Sequence, residues 1–356
     1  MFQRRYLQST GLLLKSCRFK LTDVNKCYFH QRIKSLSAEE RVAEYYLFNP
    51  TDESAVNITK VKFDTQLKVD SFFEDKLLDN CGVSKIADMM HTSGEIAKQN
   101  GKISFLKMHL PTIVVRLTAL SDLEWSLMDI SKIFRSLHYF SIQTKGFSDI
   151  LEVMTIVMKN EITKGKIPTP ENIAALILTL QKSEYEENVV GKVLMLATKL
   201  IKKCTRVIDG PEFCDILYGL QNMSNSHFRV SELLHALYLN SANNRNNIAP
   251  IHLSNALFGI QCMNEDNQNI NDIILILTKK LEKTNEKFQL SEIVSMLYGV
   301  RSKNQKNHVV AGLLNSITTK MSNCEDNFTP SLISSAINGM RGMKVTSTEE
   351  DRKSVV

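Results

Sequence analysis

Ile216-Leu-Tyr-Gly-Leu-Gln-Asn-Met223 returns as Ala256-Leu-Phe-Gly-Ile-Gln-Cys-Met263, as Met296-Leu-Tyr-Gly-Val-Arg-Ser-Lys303 and as Ala336-Ile-Asn-Gly-Met-Arg-Gly-Met343, so Gly219, Gly259, Gly299 and Gly339 stand 40 residues apart. One unit earlier the frame falls on Leu176 to Ser183, with Thr179 at the glycine position and Gln181 in register with Gln221 and Gln261. Self-similarity at a fixed period of this size marks a repeat architecture. A second block keeps the frame: Val190, Val230, Ile270 and Val310, then Val193, Leu233, Ile273 and Leu313, then Leu194, Leu234, Ile274 and Leu314, then Ala197, Leu237, Leu277 and Ile317. Apolar residues at i, i+3, i+4 and i+7 form one face of a helix, so each unit reads as two helices. Thr169-Pro170, Gly210-Pro211, Ala249-Pro250 and Thr329-Pro330 place proline where the first helix starts, and there its missing N–H costs nothing.

Working outward, the units fall near 126–165, 169–205, 209–245, 249–285 and 289–325, with a half unit at 329–343. Upstream the frame slips by three residues, explained by an insertion near Lys164 to Lys166. A weaker unit carrying Ile86 to Met90 and Ile113 to Leu120 caps the N-terminal end. One helical hairpin cannot bury its apolar face alone, so hairpins stack. The expected fold is all-α: a right-handed α-solenoid of helix-turn-helix repeats spanning 81–343, with a concave and a convex side.

The 356 residues are 43% hydrophobic and 23% charged, which excludes a disordered chain. The net charge of +6 divides unevenly. Residues 1–36 hold eight Lys and Arg against Asp23, or +7, and the remaining 320 residues sum to −1. Overall charge is therefore no argument that the body binds nucleic acid. The segment 1–36, free of acid up to Lys20 and mixing Phe2, Tyr6 and Leu12 to Leu14 with basic and hydroxylated residues, reads as a transit peptide for the mitochondrial matrix. A linker at 37–80 follows it, and 344–356 is a polar tail. No stretch approaches the roughly 18 apolar residues of a membrane span. Seven cysteines without a Cys-x-x-Cys pair argue for reduced thiols, and no motif points to catalysis, a cofactor or a metal. Trp125 and His235 read as packing residues, buried and half-buried respectively.

On a helical wheel, positions 213, 216, 217 and 220 share the apolar side of the first helix and 215, 219 and 222 the opposite side. The latter columns read Asp215, Gly219, Asn222; Asn255, Gly259, Cys262; Ser295, Gly299, Ser302; and Ser335, Gly339, Gly342. Glycine inside a helix costs about 1 kcal/mol relative to alanine. Four in phase imply a close approach to the backbone, either by the adjacent first helix or by a ligand backbone in a groove. Tyr218, Phe258 and Tyr298 offer either nucleobase stacking or packing between units. At the helix end Gln181, Gln221, Gln261, Arg301 and Arg341 are in register, as a reader of one base per repeat requires; the alternative is solvated turns with the arginines on the helix dipole. Lys182, Arg229, Lys303 and Lys306 near the turns are candidate phosphate contacts.

These strings, each followed by a Val-x-x-Leu-Leu-x-x-Leu type segment, resemble the degenerate helical-hairpin repeats of organellar RNA-binding proteins over residues 126–343. The octotricopeptide and heptatricopeptide types, and the repeat region of RAP-domain proteins, are the most similar; a RAP module itself is not seen. The resemblance implies a non-catalytic role in mitochondrial RNA processing, stability or translation, with single-stranded RNA on the concave face. Base-facing side chains in such families lie on the first helix, which implies Asp215, Asn222, Asn255, Ser295, Ser302 and Ser335 here. The near-zero charge of the body favours a second expectation from another class, a scaffold that receives a protein partner in a mitochondrial assembly.

Overall fold

Every regular element among the described residues of the computed structural model is a helix, and no strand occurs among them. Those residues run from 64 to 343, apart from 74–77, 79–80, 101–103, 141, 187, 242–246, 302, 325, 327–328 and 342. The leader, most of the linker and the tail lie outside them. In chain order the helices are α1 (Val83–Gln99), α2 (Ser104–Lys107), α3 (Leu110–Ala119), α4 (Leu127–Leu137), α5 (Phe147–Thr163), α6 (Pro170–Leu178), α7 (Val190–Lys203), α8 (Gly210–Gly219), α9 (Phe228–Ser241), α10 (Pro250–Gly259), α11 (Gln268–Lys283), α12 (Leu290–Gly299), α13 (His308–Ser322) and α14 (Pro330–Met340). A helical stretch at 64–72 precedes them.

Proline opens α6, α8, α10 and α14, where the first-turn N–H has no partner within the helix. At α12 the corresponding residue is Leu290, which does carry an N–H. That donor is met from the next connector, by Asp326 Oδ2 at 2.7 Å, while Glu292 Oε2 accepts from Gln289 N at 2.8 Å. Two second helices start on asparagine caps: Asn267 Oδ1 accepts from Asn269 N and Asn307 Oδ1 from Val309 N, both at 2.9 Å.

The helices alternate between two layers. In one, α4 packs on α1 and α6, α8 on α6 and α10, and α12 on α10 and α14; in the other, α5 packs on α3, α9 on α7 and α11, and α13 on α11. The columns that define the period lie between the layers: Ile216, Leu217, Leu253, Leu257, Leu233, Leu234, Ile273 and Leu277 are all fully buried. Burying such a side chain contributes roughly 1.5–3 kcal/mol, so each unit depends on its neighbours for stability. Trp125 is fully buried, its indole N–H donating to Leu120 O at 3.0 Å.

The glycines set the spacing of the first layer. A Cβ on Gly219 would stand 2.4 Å from Ile177 O, one on Gly259 2.2 Å from Leu217 O and one on Gly299 2.1 Å from Leu257 O. The first helices therefore pack backbone against backbone, which no side chain at these positions permits. Upstream the column holds small hydroxyl residues bonded into their own helix: Thr179 Oγ1 donates to Leu176 O and Ser136 Oγ to Ile133 O, both at 2.7 Å.

Candidate functional site

The first-helix layer turns one row of each helix away from the core. Asp215, Asn255, Ser295 and Ser335 occupy it at half-buried positions, one per unit. Ser302 lies outside the described residues. Asn222 is exposed, but its amide donates to Gln181 O at 3.1 Å. Burial raises the pKa of the Asp215 carboxyl, an effect opposed by the nearby His252 and Arg135. The row thus presents the Asn255 amide, the hydroxyls of Ser335 and of Ser295, which donates to Ser291 O at 3.0 Å, and one acid with reduced tendency to ionise.

The space beside the glycines is filled. Gly219, Gly259 and Gly299 are buried against the preceding first helix, and the ligand backbone considered for that groove has no room at these three positions. Gly339 is also buried, its nearest neighbour Tyr298 N at 3.1 Å from an added Cβ. The close approach that the sequence demands comes from the protein's own backbone.

The aromatic column packs on itself. The Tyr218 and Phe258 ring centroids lie 6.3 Å apart and those of Phe258 and Tyr298 6.0 Å, each pair inclined by 58°. Tilted rings at this distance are in the favourable edge-on arrangement and leave no slot between them for a base. Only their outer edges are offered. Burial, partly offset by a hydrogen bond with Gln181, raises the pKa of the Tyr218 hydroxyl. Asn338 Nδ2 donates to the Tyr298 hydroxyl at 3.3 Å, continuing the row into α14.

The glutamines form a ladder. Gln221 Nε2 donates to Gln181 O at 2.8 Å and Gln261 Nε2 to Gln221 O at 3.4 Å, so these amides link one unit to the next. Gln181 itself is buried. As free readers of bases these three glutamines are corrected; Arg301 and Arg341, further along the row, are exposed.

Lys303 is a second correction. It occupies the column of Met223, Met263 and Met343, is 0% exposed, and donates to Ile260 O at 2.8 Å and Met263 O at 3.0 Å. Burial, opposed by Glu265, pushes its pKa down to about 8. Such an ammonium caps the C-terminal end of α10 and cannot touch a phosphate. Of the other proposed phosphate contacts, Lys182 donates to Tyr139 O at 2.9 Å, Arg229 sits 3.8 Å from Glu232, and Lys306 is exposed. His235, expected half-buried, is exposed and lies 3.1 Å from Asn269 Oδ1.

Sequence reasoning missed Arg135. It is exposed on α4 and lines a hollow of about 540 Å³ together with His91, Met128, Lys132, Glu171 and Asn172. Lys132 is engaged by Asp88 at 2.6 Å. Along the first layer, Glu171, Glu212 and Glu292 lie in the first turns of α6, α8 and α12, whereas Lys182, Arg301 and Arg341 follow the C-terminal ends of α6, α12 and α14, so acids and bases gather at opposite ends of these helices. Among the described residues no cluster of His, Cys, Asp and Glu could hold a metal, and no helix is long and apolar enough to cross a membrane. No family model, curated protein or solved structure matches the chain.

Proposed function

We propose that the chain is a right-handed α-solenoid of stacked helical hairpins that holds single-stranded RNA along its concave face in the mitochondrial matrix, without catalysis, in RNA processing, stability or translation. The observation that carries this reading is the register of Asp215, Asn255, Ser295 and Ser335: one hydrogen-bonding side chain per unit, in one row, beside the outer edges of Tyr218, Phe258 and Tyr298. Repeat proteins that read single strands use such a spacing, one base to one helical unit. The concavity proposed for the first-helix row rests on a physical argument. From α6 onward the first helices have 9 to 11 residues and touch through glycine, whereas the second helices α5, α7, α9, α11 and α13 have 14 to 17 residues. A stack with one short, tightly spaced layer should bend toward that layer, which supports placing the first-helix row on the concave side. The acid-poor leader and the resemblance of the repeats to organellar RNA-binding proteins supply the compartment and the ligand class.

The test is a gel-retardation titration of the full chain with single-stranded and duplex RNA. At low ionic strength the single strand should bind and the duplex should not, with affinity falling as salt rises. Asn255→Ala, Ser295→Ala and Ser335→Ala should each weaken binding about fivefold, the scale of one hydrogen bond. No retardation of single-stranded RNA at low salt overturns the reading.

A further inference from the structure

The second layer is interrupted once. Neighbouring helices pack closely at α7 and α9 and at α11 and α13, but α5 and α7 touch only sparsely. This seam is where the repeat frame slips by three residues, and the extra chain is pinned there: buried Glu161 is clasped by Lys164 and Lys166, each at 2.6 Å. Between the helices opens a cavity of about 360 Å³ floored by Ile156, Val189, Met195 and Leu196. A second hollow of about 280 Å³ continues along the seam at Ile162, Ile167 and Lys203. Ile156 in the first cavity is 50% exposed and Ile167 in the second is 67% exposed, large apolar side chains that solvent does not favour.

The rim is basic. Helix α7 carries Lys192, Lys199, Lys202 and Lys203 and no acid. Lys192 pairs with Glu152 at 2.7 Å and Lys202 with Glu232 at 3.0 Å. Lys199 and Lys203, with Lys159 across the cleft on α5, have no partner among the described residues.

From this geometry we infer that the α5–α7 seam is a docking groove for an amphipathic helix of a partner protein, one with an apolar ridge flanked by Asp and Glu. Such a helix would lay its ridge on Ile156, Met195 and Leu196 and its acids against Lys159, Lys199 and Lys203. It would complete the second layer at the point where the protein's own helices fail to close it. Helix α7 has 14 residues, so a partner of about four turns, roughly 21 Å, matches the seam. An apolar floor argues for a helix ridge over a phosphate backbone, and a cleft between two helices presents no protruding surface to a bilayer.

The site is separate from the first-helix row, so failure of the RNA reading leaves it standing. The test is fluorescence anisotropy of the full chain with a labelled, helix-forming peptide of about four turns, leucines on one face and glutamates beside them. It should bind, more weakly as salt rises, and the Lys159→Glu/Lys199→Glu double variant should bind at least about tenfold more weakly while circular dichroism stays unchanged. The same peptide with lysine in place of glutamate should bind that variant better than the unaltered chain. Ile156→Asp, which leaves the lysines in place, should also release the peptide. Absence of peptide binding, binding indifferent to these substitutions, or displacement of the peptide by oligouridylate or by phosphatidylserine vesicles would overturn the proposal.

Discussion

Gly259 and Leu217 are in backbone contact across two helices: a Cβ added to Gly259 would lie 2.2 Å from the Leu217 carbonyl oxygen. The same relation, shifted by one unit, joins Gly299 to Leu257 and Gly219 to Ile177. The first layer is thus fixed by backbone shape, and its sensitivity to one methyl group should grade with the distance available.

Gly259→Ala and Gly299→Ala should each destabilise by about 1–3 kcal/mol or more, as expected when a packed contact is overfilled. Gly339→Ala, whose nearest atom is 3.1 Å away, should cost less. Gly312→Ala meets nothing within 4 Å inside α13 and should stabilise by up to about 1 kcal/mol. Urea unfolding of the four variants measures the order.

Much of this layer was legible in the sequence. The glycine column and the apolar columns fix the period, and period plus helical spacing yields alternating first and second helices. What was not legible is how polar side chains are used between units. Gln181, Gln221 and Gln261 read as free donors because spacing within one helix says nothing of the neighbour one unit back, where Gln221 finds Gln181 O. Lys303 had a signal that was available: it replaces methionine in a column otherwise held by Met223, Met263 and Met343. The slip near Lys164 was visible too, but its consequence, an opened second layer, depends on packing that no single helix encodes.

Lys303 should give the protein a pH signature. Its pKa is about 8 when folded against the ordinary 10.5, so between these values the unfolded chain binds more protons and stability rises with pH. The penalty is fully present below pH 8 and relieved above 10.5, a change on the order of 3 kcal/mol. Since other groups titrate in this range, the informative quantity is the stability of Lys303→Met minus that of the unaltered chain. This difference should fall as pH rises through the window, read by urea titration at each pH.

The start of α12 offers a double-mutant cycle. Asp326→Ala should cost about 1 kcal/mol by leaving the Leu290 N–H without its acceptor. Leu290→Pro removes that donor, and the extended backbone of Gln289 (φ −74°, ψ 150°) accepts a following proline. In the Leu290→Pro background Asp326→Ala should therefore cost nothing measurable by thermal unfolding.

Gln221→Leu separates scaffold from recognition. Loss of its bond to Gln181 O should lower stability by about 1 kcal/mol, while single-stranded RNA affinity stays unchanged in the retardation assay at temperatures well below the transition.

The most direct measurement is photocrosslinking of the full chain to thiouridine-substituted single-stranded RNA, with the adducts located by mass spectrometry. If RNA lies along the first-helix row, adducts will fall on α8, α10 and α12 or the turns that follow them, at or beside Tyr218, Phe258, Cys262 and Tyr298. Adducts confined to α7, α9, α11 and α13, or no adduct at low salt, would contradict it.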